Sequence, residues 1–472
     1  MKLKILLAVF TLPWSLGAQD IWSLEKCVKY AIEHNTSLKL SELNIGLSEI
    51  NLAESKWRRL PNLNANLNGG INFGRNIDPT SNDFITENIL YSNYGINSGV
   101  SIFQGGAITN TIKQNKLTKQ AITLDHQQNI NDISLFVANA YLQVLLAKDR
   151  IQIAKNNVEN VRAQLNQMKK LIQAGGKAES DALEIEAQLA RSEQLQIGAN
   201  NALELAWLQL RQTMKFDPSA VLEIERIPLE ELDKIVINTY TAEQLISHAI
   251  TTQPNIAAAK TRLEAAKISE RIARSTYYPS VVMSANYGSR YSDAALTPTG
   301  YTLKRQQVPG IFIDGKSAVF EQTLPSIEGT KVTSFSDQFD QFLGYGVGVS
   351  ISLPIYNNHS TRTNIARSKI QTESNKLQLE QSEESLRQNI YQAMTNFKAA
   401  QKEYEASEKS MLAAKQSFEK TKKRFEIGSV SSFEMNLSQT NFQNSEMNWV
   451  ISKYDLVFKS KVLDYYAGKK IN

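Results

Sequence analysis

Cysteine is almost missing from this chain: 472 residues contain one, Cys27. A single thiol excludes a disulfide framework, and four scattered histidines exclude a His/Cys metal cluster. Proline and glycine are sparse as well, at 11 and 22 residues, which points to long uninterrupted elements. Charge of one sign is lacking too. Against 47 acidic residues stand 52 basic ones, and a dispersed net +5 is not the footprint of a nucleic-acid binder. Beyond the N-terminus no stretch approaches the ~20 consecutive apolar residues of a spanning helix. What is present is 42% apolar and 21% charged, which excludes a disordered or collagen-like chain. The length allows about three ordinary domains.

The N-terminus reads as an address. Lys2 and Lys4 precede the apolar run Ile5 to Leu12, and small residues follow to Gly17-Ala18. Charge, length and order are those of a signal peptide over 1–18, with cleavage expected after Ala18. A buried first helix is disfavoured by Pro13. No cysteine follows the cleavage region, so no lipid anchor is expected, and Cys27 reads as a small buried helix residue. The mature chain is then either free in an export compartment or inserted in a membrane as a β-barrel.

The chain is written twice. Ser23-Leu24-Glu25, Ala31-Ile32, Asn35 and Leu38 recur as Thr241-Ala242-Glu243, Ala249-Ile250, Gln253 and Ile256, a spacing of 218 that also carries Pro61 onto Pro279. Further on the spacing becomes 253: Gly175 falls on Gly428, Asp181 on Glu434, and Ser192-Glu193 on Ser445-Glu446. The 35 extra residues lie between Pro279 and Ile355, as a longer loop. The expected organisation is a first repeat over 19–212, a linker or equatorial segment over 213–240, and a second repeat over 241–472.

Each repeat reads as helix, two strands, long helix, long helix. Ile130, Val137, Val144, Ile151, Val158, Leu165 and Ile172 recur every seventh residue, with Ile133, Ala140, Ala147, Ala154, Val161 and Met168 three places on. That is an a/d seam. Ile390, Phe397, Tyr404, Met411, Phe418 and Phe425 repeat it, with Ser407 and Thr421 as polar exceptions. A helix from Ile108 to Ile172 would be roughly 100 Å long. Gly175-Gly176 and Gly428 end the long helices, and Ser431 or Ser432 can cap the next. Two antiparallel hairpins result, with tips at 174–180 and 427–433.

Four segments alternate. Leu63, Ala65, Leu67, Ile71 and Phe73 oppose a run of asparagines in 62–74, and Tyr94, Ile96, Val100 and Ile102 oppose Asn, Gly and Ser in 93–104. Val281, Met283, Ala285 and Tyr287 do the same in 280–290, and Tyr345, Val347, Val349, Ile351 and Leu353 in 342–355. A half-buried soluble sheet alternates too. These runs, however, match the 9–11 residues of a tilted spanning strand, their polar faces are almost uncharged, and aromatics sit at their ends. Four strands cannot close a barrel, and a strand in lipid leaves no edge unpaired. Three copies would supply twelve strands over a twelve-helix tube. Loops 75–92 and 291–340 would then lie outside the cell and the helical tips would point inward.

With its Leu24-Glu25…Ala31…Asn35 opening, the echo at Glu243…Ala249…Pro254, the helix-to-strand prolines and the duplicated hairpins, the chain resembles the TolC-like outer-membrane efflux family over about 21–467. That resemblance implies a mostly α fold with transmembrane β. It implies a homotrimeric channel-tunnel whose shared 12-stranded barrel sits in outer-membrane lipid above a periplasmic coiled-coil tube. It further implies service as the exit duct of an efflux pump or one-step secretion system, with a periplasmic adaptor and an inner-membrane transporter as partners. Asp181, Glu434 and Glu184, with Glu186 nearby, are candidates for acidic rings that select cations at the inner mouth; first-turn acids also simply complement a helix dipole. Gly175, Gly176, Lys177, Gly428, Ser429 and Val430 are candidates for adaptor docking, although ordinary hairpin turns read the same way. Val430 stands where a basic partner for the acids is expected.

No Gly-x-Ser-x-Gly elbow or phosphate-binding loop is present, and Gly344, Gly346 and Gly348 alternate within a strand without opening a helix. No enzyme, cofactor or metal site is expected. A soluble periplasmic coiled-coil scaffold and a barrel-borne adhesin or enzyme displaying 291–340 are the alternatives.

Overall fold

The structure, a computed structural model, describes residues 21–77, 82, 84–219, 222–226 and 240–469. The expected signal peptide and most of the 213–240 segment lie outside the described residues. In chain order the helices are α1 (Leu24–His34), α2 (Thr36–Trp57), α3 (Ala107–Gln173), α4 (Glu179–Met214), α5 (Ala242–Thr252), α6 (Pro254–Ser275), α7 (Phe335–Gln341), α8 (Ser360–Glu426) and α9 (Ser432–Tyr466). The strands are β1 (Ile21–Trp22), β2 (Asn62–Asn72), β3 (Arg75–Ile77), β4 (Phe84–Thr86), β5 (Ile89–Gln104), β6 (Glu223–Ile224), β7 (Ser280–Ser292), β8 (Leu296–Ile313), β9 (Lys316–Val332) and β10 (Gly344–Ser352). Equivalent helices have matching lengths. α1 and α5 have 11 residues each, α2 and α6 have 22, α3 and α8 have 67, and α4 and α9 have 36 and 35. At 1.5 Å per residue α3 and α8 are each about 100 Å long.

The chain clusters into two compact units, a helical one of residues 1–49, 117–264 and 373–472 and a strand unit of residues 50–116 and 265–372. In the helical unit the α3 seam is buried from Val137 to Met168. Each fully buried valine or leucine there contributes roughly 1.5–3 kcal/mol. One 18-residue window of α3 is apolar enough to pass for a membrane span, contrary to the reading above, but half of it is buried within the protein. Its apolarity serves a helical core. The α8 seam is buried only at Leu386, Ile390, Ala393, Phe397 and Ala400; Tyr404, Met411, Phe418 and Phe425 stay half-exposed. Ser407, a polar exception in that seam, is satisfied by the Ser452 hydroxyl at 2.6 Å.

Cys27 is fully buried beside Val137, Tyr141 and Trp207. Burial pushes its thiol up to about 12, so it is an inert core residue. β1 and β6 pair in parallel, and the Tyr141 hydroxyl donates to the carbonyls of Trp22 and Glu225 at 3.3 and 2.9 Å. Asp149, buried, accepts from Tyr454 Oη and from Arg226 Nη2, both at 2.8 Å. Leu222 and Ile224 pack into the same core. Thus 222–226 is tied down by burial, hydrogen bonds and one charge pair.

In the strand unit four strands form one antiparallel sheet in the order β10-β7-β5-β2. Register keeps like with like: Ala65 faces Ile96, Ile96 faces Tyr287, and Tyr287 faces Tyr345. On the other face Asn64, Asn97, Asn286 and Gly346 line up in one row. The strands run to different ends than the alternation suggests. β5 begins earlier, at Ile89, while β10 is shorter because Phe342 ends α7 and β10 begins only at Gly344. A bulge between Ser101 and Phe103 takes Ile102 out of the paired register, and Phe103 continues the apolar face opposite Val281.

The expected loop 291–340 is not a loop. β8 and β9 pair as a long antiparallel hairpin, followed by α7. Gln338, fully buried, anchors the base of that hairpin. Its amide donates to the carbonyls of Ser292 and Thr333 at 2.7 and 2.9 Å and accepts from the Ser292 N–H at 2.8 Å. Within 75–92, β3 and β4 form a second small hairpin.

Candidate functional site

Both helical hairpins turn at a glycine in the left-handed region, Gly175 and Gly428, each with φ +76°. The same two bonds close both turns. Gly175 and Gly176 donate to the carbonyls of Ile172 and Leu171, both at 2.9 Å, while Gly428 and Ser429 donate to Phe425 and Arg424 at 2.9 and 2.8 Å. This is the Schellman arrangement, in which an L side chain at the turning position costs roughly 1–2 kcal/mol. A Cβ at either glycine would meet nothing within 4 Å, so conformation and not crowding calls for glycine.

The next helices start differently. Ser431 caps α9, its Oγ accepting from the Glu434 N–H at 3.2 Å, whereas Ala178 precedes α4 with no side-chain cap. Ser432 is therefore free of capping. Its hydroxyl instead donates to Glu184 Oε2 at 2.8 Å, tying α9 to α4. A second tie brings Lys177 Nζ over the Phe425 ring at 6.0 Å. Phe425 also packs against the small core of Val161, Leu165, Met168, Ala182 and Ile185.

The expected site residues thus separate. Asp181 is half-buried and Glu434 exposed, and neither carboxylate has an ion pair among the described residues. Glu184 is spent on Ser432, and Glu186 pairs with Lys169 at 2.8 Å. Val430 is buried, so it supplies packing where a basic partner was expected. Gly175, Gly176, Gly428 and Ser429 are exposed and Lys177 half-exposed, leaving both turns accessible.

Above the tips lies a polar interior that heptad reading passes over. The Asn157 carbonyl accepts from Gln439 at 3.3 Å and also from Gln443, and its amide donates to Ser192 at 3.3 Å. Gln164 donates to Gln439 at 2.9 Å. These bonds fix the register of α9 against α3 and α4. Asn157 sits immediately before seam residue Val158, and only that adjacency hints at its burial.

The four-stranded sheet is the other candidate surface. Leu63, Leu67, Val347, Val349 and Ile351 are between 61% and 75% exposed. A contiguous exposed apolar face of this kind marks an interaction surface. Among the described residues the outer strands β2 and β10 each pair on one side only.

The family model described as outer membrane efflux protein matches residues 28–214 and 245–468, most of the chain. The chain belongs to the outer membrane efflux protein family. It is accordingly an outer-membrane protein with a helical tunnel in the periplasm. Among similar sequences, the outer membrane protein TolC of Vibrio cholerae is 25% identical over 254 residues, covering 53% of this chain and 54% of that one. The pyoverdine export outer membrane protein OpmQ of Pseudomonas aeruginosa is 27% identical over 213 residues, covering 43% and 44%. The chain spans about half the length of these curated relatives. Among solved structures, that of the channel-forming protein CusC superposes with a TM-score of 0.76 at 14% identity, covering 95% of this chain and 92% of that one. Its fold is shared.

Proposed function

We propose that this protein is the outer-membrane exit duct of a tripartite efflux pump or one-step secretion system. It works as a passive homotrimeric channel, opened when a periplasmic adaptor and an inner-membrane transporter engage it, and it performs no catalysis. The observation that carries this reading is the open four-stranded sheet, with its exposed apolar face and two unpaired edges. Lipid takes the apolar face, and two further copies satisfy the edges, giving twelve strands. The opposite face, lined with Asn, Ser and Gly, suits a wet lumen for polar solutes.

Within this reading the hairpin tips form the inner mouth. Asp181 and Glu434, without an ion pair among the described residues, become two rings of three acids that favour cations. The accessible turns at Gly175, Gly176 and Lys177, and at Gly428 and Ser429, receive the adaptor, and buried Val430 supports the second turn from beneath. Chain-equivalent elements at spacings of 218 and 253 are the product of an internal duplication, with the β8–β9 hairpin accounting for the longer second copy.

The test is conductance of the purified protein in planar bilayers. Discrete trimer-sized steps with cation preference are expected, and Asp181→Asn combined with Glu434→Gln should move the reversal potential toward zero selectivity. Absence of conductance from correctly inserted protein, with the adaptor and transporter present as well as without them, would contradict the duct.

A further inference from the structure

A groove of about 760 Å³ opens among α3, α4 and α9 within the helical unit. Its size is that of a site for a drug-sized molecule. Its lining includes the apolar side chains of Ile153, Leu195, Ala199 and Met447. Two arginines, Arg150 and Arg191, also line it, with no carboxylate among the described lining residues. Arg150 is half-buried, and its Nε lies buried with no hydrogen-bond partner.

That arrangement is physically incomplete. Neither guanidinium has an ion pair among the described residues, so an anion in the groove that met their terminal nitrogens would gain charge-assisted bonds, which are among the stronger ones. Two other arginines of the same unit are paired, Arg162 with Glu193 at 2.8 Å and Arg226 with Asp149 at 2.8 Å, whereas Arg211 shares with Arg150 a buried Nε without a hydrogen-bond partner. Gly198 lies on the lining, and a Cβ there would meet nothing within 4 Å, so α4 leaves open space where a side chain would stand.

We propose that this groove binds an amphipathic organic anion, a sulfonate or carboxylate on a compact apolar body. The anionic group is held by Arg150 and Arg191, and the body lies on Ile153, Leu195, Ala199 and Met447 beside Gly198. The groove is built within one chain, so the proposal does not rest on the duct reading.

The probe is 2-naphthalenesulfonate, with 2-naphthamide as its neutral counterpart. Binding is followed by saturation-transfer NMR on the full-length protein in nonionic detergent. Wild-type protein should bind the sulfonate saturably and at least tenfold more tightly than the amide. Arg150→Gln with Arg191→Gln should weaken sulfonate binding tenfold or more while leaving the amide unchanged. Gly198→Leu fills the groove without touching either arginine and removes a helix-weakening glycine, so it tests the site even if the arginine variant folds poorly. It should abolish binding of both probes. The proposal is overturned if sulfonate and amide bind equally, or if Gly198→Leu binds like wild type. No saturable binding up to roughly 10 mM, a free energy of only a few kcal/mol, also overturns it; an acidic side chain of a second copy filling the groove would give that result.

Discussion

Ser432 donates its hydroxyl hydrogen to the Glu184 carboxylate 2.8 Å away, joining the first turn of α9 to the first turns of α4 across 248 residues of sequence. The bond links the two hairpins where their helices start. It also ties down Glu184, so that of the three candidate acids Asp181 and Glu434 stay unpaired among the described residues, beside Glu179 in the first turn of α4.

If the tips form the inner mouth, weakening this link should loosen it. Ser432→Ala deletes the donor to a charged acceptor, a bond typically worth about 1.5–3 kcal/mol before solvent screening. Ser432 is buried while Glu184 is half-exposed, so the lower end of that range applies. In planar bilayers Ser432→Ala should show a higher open fraction than wild type at unchanged selectivity.

Gly428 is required for its backbone and not for space. Gly428→Ala should therefore lower stability of the second hairpin by about 1 kcal/mol and still give inserted protein. Gly428→Trp carries a similar backbone cost but blocks the exposed turn. It should abolish export in cells while outer-membrane yield stays near that of Gly428→Ala. Equal export by the two variants would remove the turn from the docking surface.

In the sheet, glycines that look alike in sequence differ sharply. A Cβ on Gly288 would come within 2.6 Å of the Tyr94 carbonyl oxygen, whereas one on Gly344 would meet nothing within 4 Å. Gly288→Ala should reduce the yield of assembled, heat-resistant barrel several-fold, and Gly344→Ala should leave it near wild type. Gel mobility with and without heating reads the difference.

How much of this was legible beforehand follows from periodicity. The seam from Val137 to Met168 and the turning glycines declare themselves, because burial every third or fourth residue and a left-handed turn each demand particular residue types. The β8–β9 hairpin does not. Pro298, Pro309 and Pro325 interrupt it, and proline in a run normally argues against a strand. These strands tolerate it because each lies at the edge of a two-stranded sheet. The bulge at Ile102 is equally silent, since alternation continues in sequence while pairing skips a residue. Glu184 reads as a first-turn acid like Asp181, and nothing linear shows that Ser432 reaches it. Gln338 sits in a polar stretch whose burial depends on α7 closing over Ser292.

Stability of the helical unit should fall slightly as pH rises from acid to neutral. Desolvation raises the Asp132 carboxyl above its ordinary value, opposed by a hydrogen bond from Gln128, and likewise raises Glu446, opposed by Lys415. A raised carboxyl binds its proton more tightly when folded. Its penalty is therefore absent below the unfolded value, about 4, and complete above the folded one. Asp132→Asn keeps an acceptor for Gln128 and should raise the unfolding midpoint at pH 7, with the gain vanishing near pH 4. A pH-independent gain would mean that packing, and not titration, is responsible.

The central claim is that four strands per chain close only by sharing a barrel among three copies. The direct measurement is the mass of the mature protein extracted from outer membranes, by light scattering with the detergent contribution subtracted. Three copies per particle is the expected result. A monomer, or recovery of the protein from the soluble fraction, would mean that the exposed apolar face and the free edges of β2 and β10 are satisfied in some other way, and would contradict the account.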